Sequence, residues 1–69
     1  MTLGEHLRAL RKQRGYTLKT VAEKAGFTAS LISQIERDLV DPPLSTLGNI
    51  SKALDVSLLA LIDDDAFLE

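Results

Sequence analysis

Apolar side chains recur at spacings of three and four residues along most of the chain, and strict alternation of apolar and polar residues is absent. This period predicts amphipathic α-helices and argues against strands. The first helix is expected over about residues 3–14, with Leu3, Leu7 and Leu10 on one stripe and Gly15 at its end. The pattern as a whole predicts an all-α, compact five-helix domain.

Four residues between positions 17 and 37 have the spacing that two short helices need to pack across a tight turn. Ala22 lets the following helix lie close, and Gly26 can adopt the left-handed backbone that ends a helix. Ile32 and Ile35 fall on one face of the next helix. We therefore predict a helix-turn-helix formed by helices 2 and 3, a motif that typically places its second helix in the major groove of DNA.

Hydroxyl and proline residues mark the starts of the later helices. Thr17, Thr28 and Ser57 are suitable N-caps for the second, third and fifth helices. Pro42-Pro43 forbids a helix just before it, so the fourth helix is expected to start at about residues 43–45. We expect that helix to turn four apolar side chains inward: Leu44, Leu47, Ile50 and Leu54.

Size and composition predict a binding module rather than an enzyme. Residues 1–62 are expected to form one domain, followed by an acidic and apolar tail over residues 63–69. Cysteine is absent, which excludes disulfides and thiolate metal sites and fits a reducing cytoplasm. No apolar run reaches the roughly 20 residues of a membrane helix. We expect His6 to be a surface residue, and we predict no catalytic, metal or cofactor site.

The net charge of −2 argues against a polyanionic partner until its distribution is considered. Residues 1–24 carry six basic and two acidic side chains, whereas residues 38–69 carry one basic and seven acidic side chains. The local field, and not the total charge, steers a polyanion. One half of the domain is therefore suited to face phosphate groups.

A helical wheel of the third helix, at roughly 100° per residue, separates a buried face from a polar one. The buried face is centred near Ile32 and Ile35, and Ala29 and Leu31 lie at its borders. Hydroxyl, amide and guanidinium groups suit contacts to base edges and phosphates. Four such residues share the opposite face: Ser30, Ser33, Gln34 and Arg37.

A family resemblance is carried by five short runs: residues 3–11 (LGEHLRALR), 15–17 (GYT), 22–26 (AEKAG), 32–37 (ISQIER) and 53–58 (ALDVSL). Together they resemble the Cro and phage-repressor-like helix-turn-helix family, over about residues 2–62. The run over residues 30–37 is most similar to the DNA-binding domain of bacterial regulators that also carry a cupin domain. No cupin is present here, so the chain is expected to be an isolated DNA-binding domain.

The resemblance implies double-stranded DNA as the partner and assigns a role to each exposed position of the third helix. Base edges would be read by Ala29, Ser30 and Gln34, with Leu31 against a thymine methyl group. Backbone N–H groups at helix starts would bind phosphates, where the helix dipole favours anions. Four side chains would bind phosphates as well: Thr17, Thr28, Ser33 and Arg37.

The same resemblance implies a buried ion pair between Arg11 and Glu36, which would tie the first helix to the third. The sequence also departs from the family. Leu18 stands where the family often has glutamine, which removes one phosphate contact, and Asp38 stands where it has glycine. With Asp41, the loop after the third helix carries two aspartates instead of basic residues. These departures predict modest non-specific affinity for DNA.

The fifth helix is apolar nearly all round, which predicts that it is covered by another surface. Regulators of this type usually act as symmetric dimers. We expect a homodimer contact, or a docking surface for a missing C-terminal effector domain; the alternative is that the tail folds back over the helix. The residues concerned are Leu58, Leu59, Ile62 and Phe67.

These observations predict a transcriptional regulator that binds duplex DNA sequence-specifically through its third helix. A second hypothesis belongs to another class: a protein-interaction module of the same fold, of antitoxin or coactivator type, in which DNA contact is secondary. The acidic C-terminal half supports this second hypothesis.

Overall fold

The structure, a computed structural model, describes residues 1–62. Within this range the chain is all-α, as predicted, and forms α1 (Leu3–Gln13), α2 (Leu18–Ala25), α3 (Ala29–Glu36), α4 (Leu44–Ala53) and α5 (Leu58–Ile62). The expected positions of the fourth and fifth helices hold to within a residue. The acidic run 63–65 and Phe67 lie outside the described residues.

Hydroxyl side chains cap the helices at the predicted starts. The Oγ1 atoms of Thr17 and Thr28 each accept a hydrogen bond from the backbone N–H three residues later, at 3.1 Å. Ser57 Oγ accepts from Ala60 N in the same way. At α1, Thr2 and Glu5 form a reciprocal capping box, a start signal that the sequence analysis had not used.

The helices pack around one apolar core. α3 packs against both α1 and α2, α4 covers α2, and α5 closes the domain against α1 and α4. Burying such side chains stabilises the fold by roughly 1.5–3 kcal/mol each. The largest fully buried side chains come from all five helices: Leu7, Val21, Ile32, Ile35, Ile50, Leu54 and Leu61.

Two expectations about burial are wrong. Leu44 is 62% exposed, because it is the first residue of α4 and lies at the edge of that helix's inward face. His6 is 5% exposed and therefore not a surface residue. Since α1 packs against both α3 and α5, more than one of its faces is buried.

The end of α3 docks on the start of α1 through Asp38. This residue has a φ of 58°, in the left-handed region where glycine is favoured. Its carboxylate accepts hydrogen bonds from Thr2 Oγ1 at 2.7 Å and from Gly4 N at 3.1 Å. The negative charge therefore lies at the positive end of the α1 dipole, where it is stabilising.

Close approach at this junction is possible because Gly4 has no Cβ. A Cβ atom added there would lie 2.5 Å from the carbonyl oxygens of both Ile35 and Glu36. The junction fixes the C-terminal end of α3 relative to α1.

Among residues 1–62, no helix is long and apolar enough to cross a membrane.

Candidate nucleic-acid interface

The turn between α2 and α3 orients the two helices. Gly26 has a φ of 82°, and the backbone N–H groups of Gly26 and Phe27 both donate to Ala22 O at 2.9 Å. These bonds satisfy the Ala22 carbonyl group at the end of α2. The turn then leads the chain into Thr28, the N-cap of α3. Ala22 is buried beneath this turn, which allows α2 and α3 to pack closely.

The exposed face of α3 carries the predicted polar side chains. Ser30 and Arg37 are exposed, and Ser33 and Gln34 are half-buried. No hydrogen bond joins the side chains of Ser30 or Gln34 to another of residues 1–62 in the structure, so their polar groups are available for a ligand. At the borders of this face, Ala29 and Leu31 are half-buried and pack partly against the core.

Two of the predicted phosphate-binding residues, Thr17 and Thr28, are exposed at the starts of α2 and α3. Each hydroxyl oxygen caps its helix, and the Thr28 hydroxyl retains a proton that it can donate. The Thr17 hydroxyl also lies 2.9 Å from the Thr20 hydroxyl, and either of the two can be the donor in that bond. The adjacent backbone N–H groups and the helix dipole favour an anion at these positions.

The structure brings Arg11 and Glu36 together beneath this surface. Arg11 Nε donates to Glu36 Oε2 at 2.6 Å, and Arg11 Nη2 donates to Glu36 Oε1 at 3.1 Å. The side chains are only 11% and 6% exposed. Arg11 Nη1 also donates to Tyr16 O at 2.9 Å, so one guanidinium group joins α1, the α1–α2 loop and α3.

An open cavity of about 270 Å³ lies between α1, the start of α2 and α3. Its lining includes three arginines and one glutamate, so it is electropositive. One of these arginines, Arg8, is a residue that the sequence analysis did not assign to the site. The signal for it was present, because Arg8 precedes Arg11 by three residues and therefore lies on the same side of α1. The lining consists of Arg8, Arg11, Leu18, Ser33, Glu36 and Arg37.

Apolar side chains are exposed on α5 and around the start of α4. On α5, Leu59 is 63% exposed and Ile62 48% exposed, whereas Leu58 packs partly against the core and Leu61 is buried. A further exposed group before and at the start of α4 was not predicted: Leu39, Val40 and Leu44. In the part of the chain that the structure describes, no cluster of side chains is suited to hold a metal ion.

Comparison with known proteins identifies the family. A family model described as helix-turn-helix matches residues 7–61, which is most of the chain. The chain belongs to this helix-turn-helix family. The family that the sequence resembles is therefore confirmed, while the closer likeness to cupin-linked regulators stays a prediction.

Relatives in this helix-turn-helix family are repressors and regulators by name. The immunity repressor protein of Bacillus phage phi105 is 36% identical over 69 residues, which cover 100% of this chain and 48% of the repressor. The HTH-type transcriptional regulator SinR of Bacillus subtilis is 41% identical over 63 residues, covering 90% of this chain and 57% of SinR. The chain thus spans about half the length of these curated relatives.

A solved structure in the same family includes DNA. The crystal structure of SinR, the master regulator for biofilm formation, in complex with DNA superposes on this chain with a TM-score of 0.83. The two sequences are 42% identical, and the superposition covers 88% of this chain and 98% of that chain. At this similarity the two chains share one fold.

Proposed function

We propose that the chain is the DNA-binding part of a transcriptional regulator and that it binds duplex DNA sequence-specifically with α3 in the major groove. The observation that carries this proposal is the polar, outward face of α3 on a helix-turn-helix whose neighbouring surface is basic. The regulator names of the relatives and the DNA complex of SinR support it. Residues 1–62 constitute the DNA-binding domain in this proposal.

In this proposal some side chains of the site contact base edges and the others contact phosphates. Gln34, Ser30 and Ala29 read base edges, and Leu31 contacts a thymine methyl group. The remaining side chains hold the sugar-phosphate backbone and set the orientation of α3. They are Thr17, Thr28, Ser33 and Arg37.

The proposal includes a cytoplasmic location, with no enzymatic activity and no cofactor. Its support is the regulator names of the relatives and the chemistry of the site. The exposed face of α3 offers hydroxyl, amide and guanidinium groups, which recognise nucleic acid without any covalent step.

Gln34→Ala is expected to lose discrimination at one base pair by about 1–3 kcal/mol, since a bidentate amide contact to adenine is lost. Binding to random duplexes should stay nearly unchanged. Arg37→Ala is the matched comparison on the same helix, and it should weaken all duplexes alike because it removes a phosphate contact. Gel-shift titrations of both variants against a selected and a random duplex, at fixed salt, measure the two effects.

If Gln34→Ala binds the selected duplex as tightly and as selectively as the parent, Gln34 does not read a base. If the parent prefers no duplex over another and binds all of them weakly, the protein-interaction hypothesis gains support instead. That hypothesis rests on the excess of acidic side chains in the C-terminal half.

We further propose that the chain acts as a homodimer, because one recognition helix reads only a few base pairs and paired half-sites about 34–36 Å apart extend the site. Leu58, Leu59 and Ile62 of α5 are the proposed contact, together with Phe67, which lies outside the described residues. A missing C-terminal effector domain is the alternative occupant of this surface, since the relatives are about twice as long.

Leu59→Glu is expected to convert a dimer into a monomer, because it places a charge within an apolar contact. Sedimentation at tens of micromolar, with and without a selected duplex, measures the change. Gln13→Glu is the matched control, since it adds the same charge at an exposed polar position of α1. A parent that remains monomeric both on and off DNA contradicts the dimer.

A further inference from the structure

The cavity between α1, α2 and α3 is named here the arginine groove. The charges of Arg8 and Arg37 and the hydroxyl group of Ser33 determine what it can bind. Arg8 lines it from α1, while Ser33 and Arg37 line it from α3. Ser33 and Arg37 are four residues apart and therefore lie on the same flank of that helix. The groove is about 270 Å³, large enough to admit a tetrahedral oxyanion with some of its water.

The charges around the groove are not balanced. Arg11 is held by Glu36 through two hydrogen bonds, so this pair contributes no net charge. Arg8 and Arg37 are exposed and form no ion pair with any other residue in the range 1–62. Arg37 Nε donates to Ser33 O at 3.4 Å, which leaves the two Nη groups of Arg37 for a ligand. The groove therefore has an excess of two positive charges.

The position of the groove relative to α3 identifies the source of the anion. Gln34 and Ser30 project from the outward face, whereas Ser33 and Arg37 lie towards the flank that packs beside α1. When the outward face enters a major groove, this flank lies beside the sugar-phosphate backbone. Leu18, the lining residue from α2, has no side-chain donor, so the cations on α1 and α3 supply the contact.

We propose that the arginine groove binds one backbone phosphate of DNA, held by the guanidinium groups of Arg8 and Arg37 with the Ser33 hydroxyl as a further donor. This inference rests on the proposed function and adds Arg8, on α1, to the residues that contact DNA. Arg8 fixes the orientation of α1 on the backbone and carries no sequence information.

The test is the salt dependence of DNA binding by Arg8→Gln. Each lost phosphate contact reduces the slope of log K against log salt by about 0.9. We expect Arg8→Gln to reduce the slope by about this amount and to weaken random and selected duplexes alike, by roughly five- to tenfold at 0.1 M salt. Lys52→Gln is the matched control, because Lys52 is an exposed cation on α4, and that helix does not line the groove.

A second measurement separates DNA phosphate from a free anion. Inorganic phosphate is titrated into the parent, in which the guanidinium N–H signals of Arg8 and Arg37 are followed by NMR, and into Arg8→Gln, in which the Arg37 signals are followed. A salt slope that falls only in Arg8→Gln supports the proposal. Saturable shifts at these two residues with an unchanged salt slope overturn it, and make the groove a site for a free anion.

The failure of this inference is distinguishable from failure of the proposed function. If the parent binds duplex DNA and Arg8→Gln has the same slope as the parent and Lys52→Gln, only the groove assignment is overturned. If the parent binds no duplex, both proposals fail. Circular dichroism of each variant verifies that the helices are intact.

Discussion

Glu36→Gln is expected to lower the free energy of unfolding by roughly 3–5 kcal/mol, because it leaves the Arg11 guanidinium buried without its carboxylate. The two side chains are 11% and 6% exposed, so water replaces the lost partner only in part. After the conformational entropy lost on folding, the net stability of a domain of this size is only roughly 3–5 kcal/mol. The variant should therefore be largely unfolded at room temperature, which circular dichroism and a thermal melt will measure.

Two controls test the reason for this loss. Glu23→Gln removes an exposed carboxylate of α2 and should cost about 0–1 kcal/mol. The double variant Arg11→Met, Glu36→Leu removes both charges, so it should be more stable than Glu36→Gln. A loss below about 1 kcal/mol in Glu36→Gln contradicts the energetic role given to this pair.

Gly4→Ala is expected to destabilise the domain by about 1–3 kcal/mol, although helix propensity alone predicts a gain of about 1 kcal/mol. The added Cβ would lie 2.5 Å from the backbone carbonyl oxygens of Ile35 and Glu36. These carbonyls belong to the end of α3 and cannot rotate away as a side chain can. Steric overlap therefore outweighs propensity, and urea denaturation gives the sign directly.

Gly48 provides the matched control within the same protein. It lies in α4, and a Cβ added there meets nothing within 4 Å. Gly48→Ala should therefore stabilise the domain by roughly 0.5–1 kcal/mol. If Gly4→Ala also stabilises the domain, the close approach of α1 and α3 does not determine the fit of these helices.

Much of the fold was predictable because its signals are local. Thr17, Thr28 and Ser57 cap their helices through bonds that span three residues, and Gly26 ends α2 in the left-handed conformation. His6 could not be placed by such signals. Its burial depends on α1 packing against two other helices, and a helical wheel considers one helix at a time.

The outward face of α3 was also predictable, since it follows from the helical period and the positions of Ile32 and Ile35. The function of Asp38 was not. From its charge it was expected to weaken DNA binding, yet its carboxylate caps the start of α1 and ties it to α3. The role of Arg8 depends on the cavity, which exists only once α1, α2 and α3 are packed together.

Selection of duplexes from a random pool by the chain itself tests the central claim most directly. The bound DNA is sequenced after several rounds, and the affinities for the enriched and the starting pools are compared at one stated salt concentration. The account predicts a single enriched motif, which Gln34→Ala relaxes at one position while Arg37→Ala leaves it intact. Sequence-specific recognition by α3 is contradicted if the final pool shows no enriched motif and the chain binds it no more tightly than random DNA.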